Sequence, residues 1–512
     1  MHNHRQKPRE MRELLSKIHY NYSMDLTRAA AFPKDMANAF FYFVGIKGTG
    51  MAALAELLLR QGSRVAGSDT KEVFYTDAIL HGLGIPVHED FDPADVPAKA
   101  DRVIYSAAYP PETHPQLLRG KELGIPLLSY PEALGEFSHR MNSAGIAGVH
   151  GKTTTTAIAG AIVRELGLPG CVLAGSAAAN FGDRCTWTGG SDFFIAETCE
   201  YRRHFLFFSP RWIILTSVEA DHMDYFKDLA DIKAAFLEYC RLLPDKGTLV
   251  YCADDAGAAE TAEKLRAQRP DIRFVPYGRS AQGPYRVESA AEKPGVTVFR
   301  LGGIPADFEV HIPGLHTVLN CAAAIALVSS IHREIFPAAE LPREGLVRAV
   351  AGFRGSRRRS EVLGDAGGVL FMDDYAHHPS AIATTLAGLR KFYPERRIVA
   401  DFMSHTYSRT AALLGDFAAS FSGADFVILH KIYASARESN TGGISGKVLF
   451  EKTKSLHPQV RYCEEPMDAA DLLKKELKPG DLFITLGAGD NWRLGAALYG
   501  EFRGKAAGRE EA

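Results

Sequence analysis

The sequence predicts an α/β fold of several domains, each built on a mainly parallel β-sheet. The chain has 512 residues, which is too long for a single hydrophobic core. Its strand-like segments are continuous apolar runs, as expected for sheets that are covered by helices on both faces. Glycine-rich turns follow two of these runs and lead into helix-like segments, whereas polar residues follow several others. Ligands of open α/β sheets bind at such strand ends, so functional residues are expected there.

Composition narrows the class of protein. Apolar residues make up 46% and charged residues 23% of the chain, which is typical of a globular protein. The net charge of −2 gives no broad positive surface for nucleic acid. Seven cysteines without a C-x-x-C pair indicate reduced thiols. No continuous apolar run approaches the roughly 20 residues of a membrane span, and the N-terminus lacks a secretion signal. We therefore expect a cytoplasmic protein without membrane insertion.

A first domain is predicted at residues 39–142, after an N-terminal extension at residues 1–38. An apolar strand at residues 41–44 runs into the turn GIKGTGM at residues 45–51, a helix follows, and a second strand ends at Asp69. This order is that of a Rossmann-like unit, in which an acidic residue binds a ribose hydroxyl. Lys47 stands where the dinucleotide fingerprint needs a glycine. Two interpretations of this turn therefore stay open: it binds a diphosphate with the help of Lys47, or it binds no ligand.

A second domain is predicted at residues 143–354, around the turn GVHGKTTTT at residues 148–156. Backbone N–H groups of such a turn, together with the N-terminus of the next helix, bind phosphate oxygens. Lys152 would reach the terminal phosphates, and the Thr153 hydroxyl would bind Mg²⁺. Ile146 replaces the first glycine of the Walker pattern, so the loop is a shortened form. We predict that it binds a nucleoside triphosphate rather than merely capping an ordinary helix.

Further strand ends of this domain carry candidate metal ligands. Apolar runs at residues 192–197 and 212–216 lead to Glu197 and to His222, and both side chains should meet the Lys152 loop in one crevice. For Asp221 and Asp224, helix capping explains their position as well as ligation does. Residues 285–313 alternate with glycine turns, which predicts a small antiparallel sheet. Asn320, in an alanine-rich helix, would contact adenine or form a local hydrogen bond.

A third domain is predicted at residues 355–505, followed by a short tail at 506–512. Strands are expected at residues 369–374, 397–402, 426–429 and 482–486, with helices between them. The Arg357–Arg359 run at the preceding hinge is either a solvated turn or the source of an arginine that neutralises phosphate. The pair His377 and His378 more simply positions a loop than binds a metal, because no third ligand is suitably spaced. Polar residues at the strand ends are Asp374, Tyr375, His377, His378, His405 and Arg409.

These motifs together resemble those of the Mur ligases of bacterial cell-wall synthesis, in order and over about residues 40–500. Lys47, Thr317 and Ser360 depart from the residues usual in that family. The matching motifs are GIKGTGM at 45–51, GVHGKTTTT at 148–156, ETCEY at 197–201, EADHMD at 219–224, GLHTVLN at 314–320, DDYAHHP at 373–379 and HTYSRT at 405–410.

The resemblance implies a three-domain ligase: a Rossmann-like domain for the UDP part of UDP-N-acetylmuramate, a central P-loop sheet for ATP and Mg²⁺, and a C-terminal Rossmann-like domain that brings L-alanine. ATP would convert the lactyl carboxylate into an acyl phosphate, which the amine attacks, giving ADP and phosphate. The catalytic residues would be Lys152, His222, His405 and Arg409.

The resemblance also assigns the binding residues. Nucleotide-binding residues would be Gly148, His150, Gly151, Lys152, Thr153, Thr154, Asn320, Arg358 and Asp374. Metal ligands would be Thr153, Glu197 and His222. The sugar nucleotide would meet Gly45, Lys47, Gly48, Thr49, Gly50, Met51, Ser68, Asp69 and Ser106. The amino acid would meet Tyr375, His377, His405 and Arg409.

Several alternatives are weaker. A ligase that attaches a preformed peptide to the same sugar nucleotide is the nearest, and a folate-polyglutamate ligase would leave the first domain without a purpose. An oxidoreductase built on residues 41–69 would leave the Lys152 loop idle. A silent nucleotide-binding relative would not need the whole set of site residues. The preference among alanine, glycine and serine stays open, and we expect a monomer or a weak dimer.

Overall fold

The computed structural model describes residues 31–222, 225–434 and 443–510. The chain forms two compact units. One extends to Met141 and includes Phe207–Ser209, whereas the other comprises Asn142–Leu206 and the chain from Pro210 onward. Most of the expected N-terminal extension lies outside the described residues, as does Asp224.

The first unit contains a five-stranded, fully parallel sheet of order β3-β2-β1-β4-β5. This is the strand order of a Rossmann fold without its sixth strand. Its core includes Tyr42, Val44, Val103 and Leu117, all fully buried. The strands are β1 Phe40–Val44, β2 Arg64–Ser68, β3 Val87–His88, β4 Arg102–Tyr105 and β5 Leu127–Ser129. The helices are α1 Thr49–Arg60, α2 Thr76–Gly82, α3 Pro115–Glu122 and α4 Tyr130–Ser138, with a 3₁₀ turn at Pro93–Asp95.

The second unit begins with a seven-stranded sheet of order β12-β11-β10-β6-β9-β7-β8, in which only the edge strand β8 is antiparallel among the described pairs. The strands are β6 Asn142–Ala147, β7 Gly170–Ala178, β8 Arg184–Thr188, β9 Phe193–Glu197, β10 Pro210–Leu215, β11 Thr248–Cys252 and β12 Arg273–Tyr277. The helices are α5 Lys152–Glu165, α6 Leu229–Cys240, α7 Ala256–Gln268, α8 Leu315–Ile335 and α9 Arg343–Ala351, with 3₁₀ turns at Ala179–Phe181 and Tyr201–Phe207.

A small antiparallel sheet lies between α7 and α8 in the chain, and it confirms the excursion predicted at residues 285–313. It consists of β13 Val287–Lys293, β14 Val296–Leu301 and β15 Ile304–Val310. The rings of Phe299 and Phe308 stack across two of its strands, with centroids 5.2 Å apart.

A six-stranded sheet of order β16-β17-β21-β18-β19-β20 completes the unit, with β16 as an antiparallel edge. Ile398 and Ala400 of β18 pack into one hydrophobic cluster and Val399 into another on the opposite face, which explains the continuous apolar run. The strands are β16 Glu361–Ala366, β17 Val369–Asp374, β18 Arg397–Phe402, β19 Phe426–Leu429, β20 Val460–Tyr462 and β21 Asp481–Leu486. The helices are α10 Pro379–Phe392, α11 Tyr407–Ala412, α12 Leu414–Ala419, α13 Gly446–Lys454, α14 Ala470–Glu476 and α15 Trp492–Glu510, with a 3₁₀ turn at Pro466–Ala469.

Helix α8 is a long, mainly apolar helix of the second unit. Its 21 residues are long and apolar enough to cross a membrane by length and composition alone, although no continuous apolar run suggested this. Asn320, Ser329 and Ser330 interrupt the run while the average stays apolar. Because 83% of its most apolar window is buried within the protein, α8 is accounted for as a core helix. The α/β class with parallel sheets is confirmed.

Candidate active site

A cavity of about 660 Å³ in the second unit lies where strand ends of the seven-stranded sheet and loops of the six-stranded sheet come together. The phosphate loop, the segments after β9 and β10, the start of α8 and the loops after β17 and β18 all contribute. The predicted residues that line it are His150, Gly151, Lys152, Thr153, Thr154, Glu197, His222, Asn320, Asp374, Tyr375, His377, His405 and Arg409. The structure therefore brings most of the residues predicted for this crevice together.

The loop before α5 has the form of an anion cradle. Gly148 and Gly151 have φ angles of 134° and 80°, which residues with a side chain rarely adopt. A Cβ atom at Gly148 would lie 2.0 Å from the Thr216 hydroxyl oxygen. Helix α5 begins directly after Gly151, and no side chain caps its first turn. Its first N–H groups and its positive dipole end therefore suit phosphate oxygens. Gly148 is not among the residues that line the cavity.

Lys152 is held by a carboxylate at the wall of this cavity. Its Nζ lies 3.1 and 3.0 Å from the two carboxylate oxygens of Glu200, and it also donates to the Gly148 carbonyl oxygen. Burial disfavours the charged amine, but Glu200 outweighs this and the pKa of Lys152 is raised. The lysine is therefore charged, and phosphate oxygens can replace Glu200 as its partner.

The three predicted metal ligands follow the same edge of the sheet. The Thr153 hydroxyl donates to a Glu197 oxygen over 2.7 Å. A Cβ atom on Gly175 would lie 1.8 Å from the other Glu197 oxygen, so the absence of a side chain there makes room for the carboxylate. His222 has a φ of 53°, and its Nε2 lies 3.7 Å from a Glu200 oxygen. The hydroxyl and carboxylate oxygens fit Mg²⁺ by donor chemistry.

Asp374 is fixed by its surroundings at the end of β17. One carboxylate oxygen accepts the Ala376 N–H over 2.8 Å, and the other accepts both the N–H and the hydroxyl of Ser360 over 2.6 and 3.1 Å. Ser360, one of the departures from the family pattern, thus orients this carboxylate. Thr317, another departure, is fully buried and donates to the Pro313 carbonyl oxygen over 3.0 Å.

Asn320 forms a long-range hydrogen bond, in which its side-chain oxygen accepts from the Thr155 hydroxyl over 3.2 Å. This contact joins α8 to α5 beside the phosphate loop. His316, one turn earlier on α8, is half-buried, and its buried Nδ1 atom has no hydrogen-bond partner within the described part of the chain. Burial lowers the pKa of His316.

The Arg357–Arg359 run places one arginine differently from the prediction. The side chain of Arg358 donates to Asp373 over 2.9 Å and to the Gly487 carbonyl oxygen over 2.8 Å, and it is not among the cavity-lining residues. Arg359 lines the cavity instead. The φ of 59° at Arg358 bends the backbone between the two side chains, which the letter sequence does not reveal.

The far end of the cavity carries the residues predicted to bind an amino acid. Arg409 of α11 forms an ion pair with Asp221, with 2.6 Å between Nη2 and Oδ1. Burial opposes the charge of Asp221, but Arg409 outweighs it and holds the pKa of this carboxyl below its usual range. Burial and the nearby Arg409 charge lower the pKa of His377 well below its ordinary value. The ring of His405 stacks on Tyr433, with centroids 5.9 Å apart.

A second donor cluster includes His378 but not its neighbour His377, the other member of the histidine pair predicted to position a loop. His150, Glu219 and His378 bring three donor atoms within 4.8 Å of one another. The His150 Nε2 lies 3.6 Å from a Glu219 oxygen, and His378 Nδ1 lies 2.8 Å from the Ser380 hydroxyl oxygen. These residues are far apart in the chain, so no spacing rule could have grouped them.

Lys47, in the glycine-rich loop of the first unit, contacts groups of its own unit. Lys47 is 1% exposed, and its ammonium group lies about 3 Å from four oxygens, the carbonyls of Thr70 and Glu72 and the carboxylates of Asp77 and Glu89. Burial opposes the charge, but Glu89 and Asp77 raise the pKa of Lys47. The side chain therefore stabilises the loop through contacts within its own unit.

The other predicted residues of this loop also have partners within the unit. Asp69 accepts the Lys47 N–H over 2.7 Å, Thr49 accepts from the Tyr75 hydroxyl over 2.9 Å, and Ser68 donates to Gln116. Ser106 accepts the Ala108 N–H over 3.3 Å. Gly45 has a φ of 86°, and a Cβ atom at Gly50 would lie 2.7 Å from the Tyr130 ring. Gly48 precedes α1, and Met51 is buried on that helix.

The fold and the cavity are those of a class of nucleotide-binding enzymes. Such an enzyme has a phosphate loop on one sheet and further cavity-lining residues on a second sheet. Family models match most of the chain in three consecutive parts: the Mur ligase family catalytic domain at residues 40–141, the Mur ligase middle domain at 146–328, and the Mur ligase glutamate ligase domain at 358–489. The chain belongs to the Mur ligase family, whose members are ATP-dependent ligases.

Individual proteins give a finer likeness. The chain is 52% identical over 477 residues to the UDP-N-acetylmuramate–L-alanine ligase of Treponema pallidum, which covers 93% of this chain and 99% of that protein. The crystal structure of UDP-N-acetylmuramate–alanine ligase from Thermotoga maritima superposes with a TM-score of 0.72 at 23% identity and covers 91% of this chain and 100% of its own. A murein peptide ligase from Psychrobacter arcticus gives 0.64 at 23% identity, with 91% and 99% covered. At these identities the two structures show the fold alone.

Proposed function

We propose that this protein joins L-alanine to the lactyl carboxylate of UDP-N-acetylmuramate in the cytoplasm, with ATP converted to ADP and phosphate. The observation that carries the proposal is the 52% identity, over nearly its full length, to a protein named for this reaction. The cavity supports it, because phosphate-binding and carboxylate-binding groups face the same space. A carboxylate and an amine do not condense at neutral pH without activation, and transfer of a phosphoryl group supplies that activation.

The first step would take place at the phosphate loop. The lactyl carboxylate oxygen attacks the γ-phosphorus, the bond to the ADP oxygen breaks, and an acyl phosphate forms. Lys152 would leave Glu200 and bind the γ-phosphate, while the first N–H groups of α5 bind the β-phosphate. Thr153, Glu197 and His222 would hold Mg²⁺, which neutralises phosphate charge when bound. We assign the phosphate-neutralising arginine to Arg359 rather than Arg358.

The second step would take place at the far end of the cavity. The amine of alanine attacks the acyl carbon, the carbon–oxygen bond to phosphate breaks, inorganic phosphate leaves, and the amine loses a proton. Arg409 and His405 would bind the alanine carboxylate, with Tyr375 and His377 beside it. Asn320 would contact the adenine, and Asp374 the ribose. In the first unit, the backbone of residues 45–51 would meet the diphosphate, since the Lys47 ammonium group already has four oxygen partners.

The proposal is tested by phosphate release from ATP, measured with and without UDP-N-acetylmuramate and across alanine, glycine and serine. Release that needs both the sugar nucleotide and alanine is expected. No stimulation by the sugar nucleotide would overturn the proposal, and preference for a preformed peptide would favour the peptide-adding alternative. A Lys152→Ala variant that keeps full turnover would overturn the assignment of the phosphate loop.

A further inference from the structure

Asp221 lines the cavity next to His222, and its side chain forms contacts that the helix-cap and ligand alternatives do not include. Helix α6, the next helix in the chain, is capped by Asp228, whose side chain accepts the Asp231 N–H. Asp221 therefore does not cap α6. Its carboxylate is 9% exposed and turns to the six-stranded part of the unit.

The Oδ1 atom of Asp221 joins two segments that meet the substrates. It accepts from Arg409 Nη2 over 2.6 Å and from the His222 N–H over 2.7 Å. Arg409 lies 188 residues further along the chain, on α11. One oxygen thus fixes both the backbone beside a proposed metal ligand and the side chain proposed to bind the amino acid.

The ion pair is shielded from water. Arg409 is 12% exposed and Asp221 9%, so water and salt screen their attraction much less than that of a surface pair. A guanidinium group is planar, and its N–H donors form a rigid fork. Fixing Nη2 against a buried carboxylate therefore restricts the orientation of the whole plane.

The contact does not use up the arginine. A guanidinium group has several N–H donors, and the contact with Asp221 involves one nitrogen, so a second carboxylate can bind to the remaining edge. The Asp221 carboxylate therefore orients Arg409 without occupying the N–H groups that a substrate carboxylate would use.

We infer that Asp221 is a positioning residue, which holds Arg409 in the orientation that receives the carboxylate of the incoming amino acid. The inference rests on the proposed function, which gives Arg409 that role. Because the same oxygen binds the His222 backbone, the amino-acid end and the metal end of the site keep a fixed relation.

The test is the kinetics of an Asp221→Asn variant, which keeps the shape and an acceptor oxygen but removes the charge. We expect the KM for L-alanine to rise roughly tenfold, while kcat falls less than about threefold and the KM values for ATP and UDP-N-acetylmuramate change less than about twofold. Asp221→Glu, which keeps the charge, should recover part of the alanine affinity. Asp307→Asn is the matched control, because it breaks an exposed Arg300–Asp307 pair on the small antiparallel sheet.

A second variant shows whether Asp221 acts through Arg409. In an Arg409→Lys background, Asp221→Asn should raise the alanine KM by a much smaller factor than in the wild type, since the group being oriented is gone. An equal factor in both backgrounds would overturn the inference.

The remaining outcomes also decide. An unchanged alanine KM in Asp221→Asn overturns the positioning role. A lower alanine KM also overturns it, because it shows that Asp221 competes with the amino acid for Arg409. A parallel rise in all three KM values with a lower melting temperature shows a merely structural role, which also overturns the inference. If the wild type itself shows no alanine-dependent turnover, the proposed function fails instead, so the two failures are distinguishable.

Discussion

The two glycine-rich loops of this protein contain the same residue types, yet they use their lysines differently. Lys47 lies among four oxygens of its own unit and is 1% exposed. Lys152 faces the cavity and is held mainly by Glu200. In both cases burial opposes the charge and carboxylates raise the lysine pKa. The comparison teaches that a lysine in such a loop serves ligand binding only where its partners can be exchanged.

The largest expected effect comes from Lys152→Met. Turnover should fall at least about a hundred- to thousandfold, because a charge that neutralises the transferring phosphate is removed. Melting temperature should also fall, because the Glu200 side chain is only 4% exposed and loses its ammonium partner. The measurement is phosphate release under saturating substrates, with calorimetry on the same sample. Wild-type turnover in this variant would show that Lys152 has no role in the reaction and would contradict its contrast with Lys47.

The matching change, Lys47→Met, should act on stability instead. We expect a loss of about 2–3 kcal/mol, toward the lower end for a broken buried pair because Asp77 and Glu89 are 31% and 57% exposed. Hydrogen exchange of β1 should become faster, while kcat at a permissive temperature stays near that of the wild type. If turnover collapsed in a fully folded Lys47→Met protein, the ammonium group would have a direct role in the reaction.

A third buried cation, His430, adds a pH dependence that the lysines lack. Its Nε2 lies 2.7 Å from Asp401, and both side chains are fully buried. Burial opposes the charge, but Asp401 raises the pKa of His430 above its ordinary value. The stabilisation from this pair is therefore complete below the unfolded pKa of about 6.5 and is lost as pH rises through the raised folded pKa.

Urea unfolding of the wild type between pH 6 and 9 measures this effect. His430→Gln should be less stable at pH 6, because Asp401 loses its partner, and its stability should decline less toward pH 9. An identical decline in both proteins would show that other groups cause it.

The smallest expected effect concerns Glu200→Gln. Removing this carboxylate lowers the pKa of Lys152, so the midpoint of labelling by an amine-reactive reagent should move down by about one pH unit. Mass spectrometry of the labelled peptide gives the midpoint directly. Glu260→Gln, on an exposed Lys233 pair, is the control that should leave it unchanged. An unmoved midpoint in Glu200→Gln would mean that Glu200 does not hold the ammonium group.

The sequence predicted those parts of the fold and site that follow from local pattern. Apolar runs buried on both faces located β10, β17 and β18, and strand-end chemistry located Glu197 and His222. The glycines around Lys152 located the phosphate loop. Each of these signals lies within a short stretch of chain, where spacing and polarity are visible.

The rest depends on long-range contacts or on single backbone angles. The partners of Lys47 come from residues 70–89, and the Asp221–Arg409 pair spans 188 residues. Arg358 has a φ of 59°, and its neighbour Arg359 lines the cavity whereas Arg358 does not.

The Lys152–Glu200 pair has a consequence for synthesis of the chain. Glu200 follows Lys152 by 48 residues, whereas Tyr375, the first residue proposed for the amino-acid end, comes about a third of the chain after Glu200. At ribosomal rates the interval between Glu200 and Tyr375 lasts on the order of ten to forty seconds. A nascent or prematurely terminated polypeptide in this interval contains the lysine and the glutamate that holds it, but none of the residues proposed to bind the amino acid. Such a fragment would have the lysine proposed to bind phosphate without the groups proposed to bind the acceptor.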